Sequence, residues 1–324
     1  MTTRPTTNWP YVVACLLVAV TAVLLCFGAL VTTFDAAMAV PDWPGTYGHN
    51  MFLFPFAEWF FGPWDLFLEH GHRLLGASVG LITLVLAGIV WARPASTAVR
   101  AFTVAAVLLV LVQGGLGGAR VLLDDKTVAK VHACTGPLFF AVAVAIAALS
   151  RRRAPAGHAA ALPAIVALLV ASYVQLVAGA QLRHLDATVE PRTFHWLVGF
   201  HVAGAAAVVG LTVAALVIAR SRGDAPPVRR LCAALVAVVV LQIALGLGAW
   251  IVTWGIPSGW LPPEWMPAEP LQARSLVSAG VVTGHVVLGM LILGGAVLAA
   301  IAAGGLVPRR AGLAAAAGKA GAFA

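Results

Sequence analysis

The chain contains eight apolar stretches, each about as long as a helix must be to cross a lipid bilayer. Apolar residues make up 61% of its 324 residues and charged residues only 10%. A soluble protein built from eight such helices would have no polar face to present to water. The sequence therefore predicts an all-α integral membrane protein with eight transmembrane helices. The predicted spans are roughly Tyr11–Thr33, Leu66–Trp91, Ala101–Ala119, Val128–Leu149, Leu162–Leu182, His195–Ala219, Leu231–Ile251 and Leu276–Ala303.

Basic residues concentrate on one side of these predicted spans. If the N-terminus is cytoplasmic, the inner side holds 13 of the 20 Lys and Arg residues, and Asp224 is its only acid. The positive-inside rule then places both termini in the cytoplasm. The net charge of +8 follows from this bias in the loops, so it does not indicate nucleic-acid binding. No cleavable targeting segment is recognisable, so we expect direct insertion into a bacterial cytoplasmic (inner) membrane.

Four histidines lie at matching depths in the even-numbered spans. They are His72, His132, His201 and His285, each a few residues inside the outer end of its span. An ionisable residue inside a membrane helix is costly and usually faces the interior of a bundle. Because facing helices can clamp a haem between two axial histidines, we expect all four to ligate haem iron.

The spans also repeat a short pattern. Each of these histidines is followed four residues later by a small residue, namely Gly76, Gly136, Ala205 or Gly289. The odd spans carry glutamine and then glycine at the same spacing, as Gln113/Gly117, Gln175/Gly179 and Gln242/Gly246, with Leu24/Gly28 in the first span. We interpret the small residue after each histidine as clearing space beside the imidazole for a flat macrocycle. Ordinary small-residue packing of membrane helices would explain the glycines alone.

The repeat predicts two similar four-helix bundles. The first covers residues 1–152 and pairs His72 with His132, and the second covers 153–310 and pairs His201 with His285. An Ala/Gly-rich tail at 311–324 is expected to be disordered.

The two predicted halves differ beside the first histidine of each pair. Glu69 precedes His72 by three residues and Arg73 follows it, whereas Val198 and Val202 flank His201. A carboxylate near a bound porphyrin could accept a proton, orient water or stabilise a developing cation. Alternatively, Glu69 only pairs with Arg73 or solvent. We predict that the first half is the reaction site and that the second holds a permanent cofactor.

The predicted outer loop from Phe34 to Asp65 is unusually aromatic. Its large rings are Trp43, Phe52, Phe54, Phe56, Trp59, Phe60, Phe61 and Trp64. They suit either an apolar lid over the first half or anchoring at the membrane interface.

The other histidines and the cysteines give no further ligands. We expect His49, His184 and His195 to meet solvent or headgroups, and His70 to point away from the iron of His72. The four cysteines, Cys15, Cys26, Cys134 and Cys232, fall within spans, and no C-x-x-C-H motif for covalent haem attachment is present.

Several motifs together resemble those of haem A synthases. The segment Glu69-His70-Gly71-His72-Arg73 is similar to the acidic-x-x-His-Arg motif of that family. Further matches are Pro41-Asp42-Trp43-Pro44, the Gly-rich stretch Gln113–Arg120, Lys130-Val131-His132, and Gly284-His285. The resemblance extends over all eight spans in order.

This resemblance implies an enzyme that oxidises a porphyrin methyl group of haem O to a formyl group, giving haem A for terminal oxidase assembly. It implies that Glu69, His72 and His132 form the substrate site, while His201 and His285 ligate a resident haem B. Many members of the family carry a cysteine pair in the first outer loop. This chain has none there, so no thiol step is carried over.

Two other functions would suit the same four ligands. One is a membrane haem carrier that does not alter its cargo, and the other is a di-haem b-type cytochrome that oxidises quinol. The lipid bilayer and haem O are the expected partners, with haem O synthase and an electron donor as further candidates, and no nucleic acid.

Overall fold

The computed structural model describes residues 7–151, 158–185, 188–256 and 275–305. Within these ranges the chain forms eight long helices and one short helix. They are α1 (Trp9–Thr33), α2 (Phe56–Phe60), α3 (Trp64–Ala92), α4 (Thr97–Leu123), α5 (Lys126–Ser150), α6 (Leu162–Arg183), α7 (Pro191–Ser221), α8 (Pro226–Trp254) and α9 (Leu276–Ala302). All but α2 are long and apolar enough to cross a membrane, which confirms the predicted fold class of a multi-pass, all-α membrane protein.

The helices extend further than the apolar stretches alone predicted, because polar residues begin and end them. The predicted third span began at Ala101, but α4 begins at Thr97, where the side chain of Ser96 accepts a hydrogen bond from the Val99 amide. It ends at Leu123, because the next residue, Asp124, has a left-handed backbone (φ 45°) that stops the helix. Likewise, α7 and α8 begin at Pro191 and Pro226, since proline fits the first turn, which needs no amide donor.

Contacts between the helices are densest within two groups of four. In the first group, α1 and α4 each pack against both α3 and α5. In the second, α6 and α8 each pack against both α7 and α9. Each group buries its own apolar core, and a third core joins α5 to α9, where Phe140 and Val144 pack with Met290 and Val297. The predicted boundary at residues 152–153 and the tail at 311–324 lie outside the described residues.

Polar contacts tie the helices together at the end remote from the histidines. The Asn8 side chain donates to the Ser150 carbonyl, which joins the start of α1 to the end of α5. Asp224 accepts from the amides of Ala160 and Ala161 just before α6. Asp224 therefore replaces a side-chain cap that α6 itself lacks. The cytoplasmic location of this end stays a prediction.

Candidate functional site

The four histidines form two close pairs, as the repeat predicted. The ring centroids of His72 on α3 and His132 on α5 lie 6.5 Å apart, with their planes at 81°. Those of His201 on α7 and His285 on α9 lie 6.4 Å apart, with their planes at 69°. Two in-line metal–imidazole bonds of about 2 Å, added to the ring radii, would place the centroids roughly 6 to 6.5 Å apart. Each pair is therefore spaced to hold one metal ion between its rings.

A haem iron fits these pairs better than a bare ion does. In the described part of the chain, no three His, Cys, Asp or Glu side chains cluster closely enough to hold a metal ion by themselves. A porphyrin supplies the remaining nitrogen ligands itself, so two imidazoles are enough. That these histidines ligate iron stays a prediction.

A glycine on the preceding odd span lies against each imidazole. A Cβ added at Gly28 would lie 3.0 Å from Cε1 of His72, and one at Gly117 would lie 3.5 Å from that of His132. The corresponding distances are 3.2 Å from Gly179 to His201 and 2.9 Å from Gly246 to His285. Each imidazole thus lies directly against the backbone of its neighbouring helix, and a larger residue there would displace the ring.

This arrangement corrects the interpretation of the small residues that follow the histidines. A Cβ at Gly76 would meet nothing within 4 Å, so Gly76 alone, of the three glycines that follow these histidines, faces open space. Gly136 faces the side chains of Gln113 and Leu25, and Gly289 faces those of Gln242 and Leu176. Spacing within one helix could not reveal this, because the partner of a residue depends on how neighbouring helices are aligned. The matched contacts of Gly136 and Gly289 show the repeat in three dimensions.

Two glutamines on the odd spans donate hydrogen bonds to the backbone carbonyls of histidines in the pairs. The amide nitrogen of Gln113 donates to the His132 carbonyl at 3.3 Å, and that of Gln175 donates to the His201 carbonyl at 2.8 Å. The Gln175 nitrogen also lies 3.1 Å from Nδ1 of His201. The first span has Leu24 instead, so His72 has no glutamine of this kind.

The two pairs differ in how firmly their rings are held. In the second pair, Nδ1 of His285 lies 3.2 Å from the Gln242 carbonyl. An acceptor at Nδ1 fixes the ring and leaves Nε2 free for a metal. The Gln175 amide nitrogen instead lies 3.1 Å from Nδ1 and 3.3 Å from Nε2 of His201. In the first pair, the backbone of Leu24 and of Gln113 interacts with His72 and His132, but neither Nδ1 makes a well-formed hydrogen bond to a described residue.

Glu69 is buried, with 3% of its surface exposed, and both of its carboxylate oxygens are engaged. Oε1 accepts from Arg73 at 2.8 Å, and Oε2 accepts from the Val40 amide at 2.9 Å. Pairing with Arg73 was the alternative interpretation of this residue, and the contact is present. Arg73 also donates to the carbonyls of Val40, Asp42 and Gly45. The motif around His72 therefore holds the first loop, which we define as residues 34–55.

Asp42 gives this loop its internal turn. It accepts hydrogen bonds from the amides of Tyr47 and Gly48 at 2.8 and 2.9 Å. Partial burial acts to raise the pKa of Asp42, but these two bonds and the charge of Arg73 lower it overall. The ring of Trp43 then packs against α4 at Gly118, where an added Cβ would lie 2.6 Å from the ring.

Most of the aromatic rings between Phe34 and Asp65 face outward. Phe61 and Phe52 are 77% and 67% exposed, whereas Phe54 is buried. Phe54 and Trp59 enclose His70, whose Nδ1 lies 3.0 Å from the Thr46 hydroxyl. His70 therefore supports the loop, and its role as a non-ligand stays a prediction. Exposed rings suit interfacial anchoring, although part of the set does cover the start of α3.

None of the other predicted non-ligands belongs to either ring pair among the described residues. His49 lies in the first loop against Phe54, His184 follows the end of α6, and His195 is exposed in the first turns of α7. All four cysteines are free and lie within helices, as expected.

Part of the chain that includes this site matches a known protein family. Residues 63–203 match the family described as cytochrome oxidase assembly protein. The recognised resemblance is confirmed over that segment. The match implies a role in cytochrome oxidase assembly. It spans α3 to the first part of α7 and includes Glu69, His72, His132 and His201, while His285 lies beyond it. No curated protein matches the chain.

Two arginines near the histidine pairs were not predicted as site residues. Arg120 on α4 donates to the Ala37 carbonyl in the first loop at 2.6 Å. Arg183, the last residue of α6, donates to two groups on α1. Their position at the outer ends of spans was the only sequence signal, and charge-rich span ends are common.

Proposed function

We propose that the protein is a haem A synthase, which oxidises a methyl group of haem O to a formyl group for terminal oxidase assembly. The observation that carries this proposal is the presence of two equally spaced imidazole pairs, of which, among the described residues, only the first has a buried carboxylate on the same helix. The family match over residues 63–203 supports it.

In this proposal, His72 and His132 hold haem O as substrate, and His201 and His285 hold a resident haem B. Substrate must enter and product must leave, so more loosely held rings suit the first site. A permanent cofactor benefits from a ligand whose Nδ1 is fixed by an acceptor, as the Gln242 carbonyl fixes His285. When bound, haem B supplies the capacity to pass electrons to or from the substrate site.

Glu69 acts in this site chiefly through its charge. Both of its oxygens are already hydrogen-bonded, so it is poorly placed to accept a proton. A buried carboxylate three residues before His72 stabilises positive charge that develops on the substrate during oxidation. Arg73 keeps that carboxylate oriented, and through the same contacts both residues position the first loop.

The reaction requires two successive two-electron oxidations of one carbon by an oxidant from outside the protein, first to an alcohol and then to an aldehyde hydrate, which loses water to give the formyl group. The protein binds and orients the porphyrin and excludes competing solvent, while iron supplies the redox chemistry. We place the protein in the bacterial inner membrane, with the histidine pairs near the outer leaflet and both termini in the cytoplasm. Haem O synthase and an electron donor are its proposed partners.

The decisive experiment is co-expression with haem O synthase, followed by haem extraction and chromatography. A haem A synthase produces haem A only when the intact protein is present. A haem carrier would accumulate unchanged haem O instead. A quinol-oxidising cytochrome would contain haem B alone and would not change the haem O pool. Either of these last two outcomes would contradict the proposal.

A further inference from the structure

Arg183 joins the two halves of the molecule but uses only part of its hydrogen-bonding capacity. One of its terminal nitrogens, Nη2, donates to the Ala29 carbonyl and to the Thr33 hydroxyl, both on α1. The other, Nη1, is buried and has no acceptor within the described residues. A guanidinium carries five N–H donors in a rigid fork, so the free edge of Arg183 can bind another group.

The charge of Arg183 also lacks a counter-ion in the described part of the chain. The ion pair found there joins Arg73 to Glu69, and no carboxylate bridges to Arg183. A buried charge without a partner is costly, and more so at membrane depth. The next residue, His184, is basic, and the charged groups that act on it, Arg183, Lys130 and Arg120, are all cations, so none of them neutralises Arg183. An anion bound at Nη1 would remove this cost.

Arg183 contacts the helix that lies against His72 and lies near His285. Ala29, which accepts its hydrogen bond, directly follows Gly28, and Gly28 lies against the ring of His72. The guanidinium also interacts electrostatically with His285 of the second pair. An anion held by Arg183 would therefore lie near the porphyrins that the two pairs are proposed to bind.

We propose that Arg183 binds a propionate of a haem held at these pairs. This inference rests on the proposed function, because it needs a tetrapyrrole at the histidines. A propionate is a carboxylate on the porphyrin edge, and a hydrogen bond from the charged guanidinium at Nη1 to such a carboxylate is short and strong. Arg183 is in this view a binding residue for the haem, and it links that haem to α1 of the other half.

The test compares haem with its dimethyl ester, which has the same iron and ring but no free propionate. Protein from haem-starved cells is loaded with either form, and transfer to a haem-free globin gives the rate of loss. We expect the ester to leave unmodified protein about 10-fold faster than haem does, corresponding to about 1.4 kcal/mol. In Arg183→Gln the two forms should leave at the same rate, since the partner of the propionate is gone.

Three variants separate this effect from damage to the fold. Arg183→Lys retains a charge and should restore part of the difference between haem and ester. Arg192→Gln removes an exposed arginine from the start of α7 and should behave as the unmodified protein does. Thr33→Val removes only one contact between Arg183 and α1, so it should preserve the difference between haem and ester.

Measuring the loss rates of haem and ester for haem B and for haem O separately shows which of the two haems supplies the propionate. If only haem B shows the effect of esterification, Arg183 binds the resident haem. If only haem O shows it, Arg183 binds the substrate. The resident case also predicts a lower midpoint potential in Arg183→Gln, because loss of a nearby cation favours ferric iron.

Equal loss rates for haem and ester in the unmodified protein, with both porphyrins, would overturn the inference without needing any variant. An esterification effect that persists undiminished in Arg183→Gln would overturn it as well. Haem A production by the unmodified protein tests the proposed function separately, so failure of one can be distinguished from failure of the other.

Discussion

The two halves of this protein contain the same histidine pair on the same arrangement of helices, but they support it differently. In the second half, Gln175 and the Gln242 carbonyl bond to the rings of His201 and His285. In the first half, Glu69 and Arg73 lie on the same helix as His72, but their hydrogen bonds hold the first loop and not an imidazole ring. A repeated ligand set can therefore acquire two functions when the residues around it change. A pair in which one ring is fixed by a carbonyl suits retention, and a more loosely held pair under a loop suits exchange.

The largest effect is expected when a proposed haem ligand is removed from the second pair. His201→Ala or His285→Ala should abolish the low-spin haem spectrum of the purified protein, because one axial ligand is lost. His195→Ala, which removes an exposed histidine from the same helix as His201, serves as the control. An unchanged visible spectrum in His201→Ala and His285→Ala would show that the resident haem is bound elsewhere.

Replacing the carboxylate of the first half should affect the reaction and not the resident haem. Glu69→Gln keeps the size of the side chain but removes its charge, and we expect haem A formation to fall about 100-fold or more. Chromatography of extracted haems measures this fall, and the low-spin spectrum should be unchanged. Glu58→Gln, at an exposed acid on α2, should have no effect on either.

If Glu69→Gln instead lost all haem, the residue would have to be regarded as structural. Its bond to the Val40 amide makes that outcome physically reasonable, so the spectrum must be recorded beside the activity.

A smaller change can make the second half resemble the first. Gln175→Leu introduces at this position the residue that the first half carries as Leu24, and it removes the bond to the His201 ring. Groups that orient a metal-ligating histidine typically affect affinity about 10-fold or more. We therefore expect resident haem to transfer to a haem-free globin about 10-fold faster. Gln113→Leu, which leaves the second pair intact, is the matched control, and equal rates in both variants would remove the proposed basis of retention.

The smallest expected effect is the pH dependence of the first loop. The pKa of Asp42 is lowered in the folded protein, so its contribution is present above the usual aspartate pKa and is lost as pH falls through the lowered value. Proteolysis within residues 34–55 should therefore stay slow until the pH is well below the normal range for aspartate. In Asp42→Asn, the bonds to Tyr47 and Gly48 weaken at every pH, so cleavage should be faster and should no longer follow this titration. A wild-type profile identical to that of Asp42→Asn would contradict this role.

Much of the fold could be predicted because a helix that crosses a membrane must be long and apolar. Length and apolarity defined the eight spans, and the shared depth of the histidines indicated which of them meet. The helix ends were less accurate, since caps such as Ser96 lie outside the apolar stretch. The second group of helices in the structure also follows the repeat found in the sequence.

The details of the site could not be predicted, because they depend on how separate helices are aligned. Gly28 and Gly246 were recognised as part of a pattern, but the pattern did not show that they lie against His72 and His285. Glu69 was recognised as distinctive, but its bond to the Val40 amide is a contact between a helix and a loop. Arg183 gave no specific signal, since its partners Ala29 and Thr33 are more than a hundred residues away along the chain.

In the proposed function, each histidine pair holds its own haem, with substrate at the first pair and resident haem B at the second. The most direct measurement is the haem content of paired variants co-expressed with haem O synthase. His72→Ala with His132→Ala should retain haem B and lose haem O and haem A. His201→Ala with His285→Ala should lose haem B. Loss of the same haem from both double variants would contradict the account.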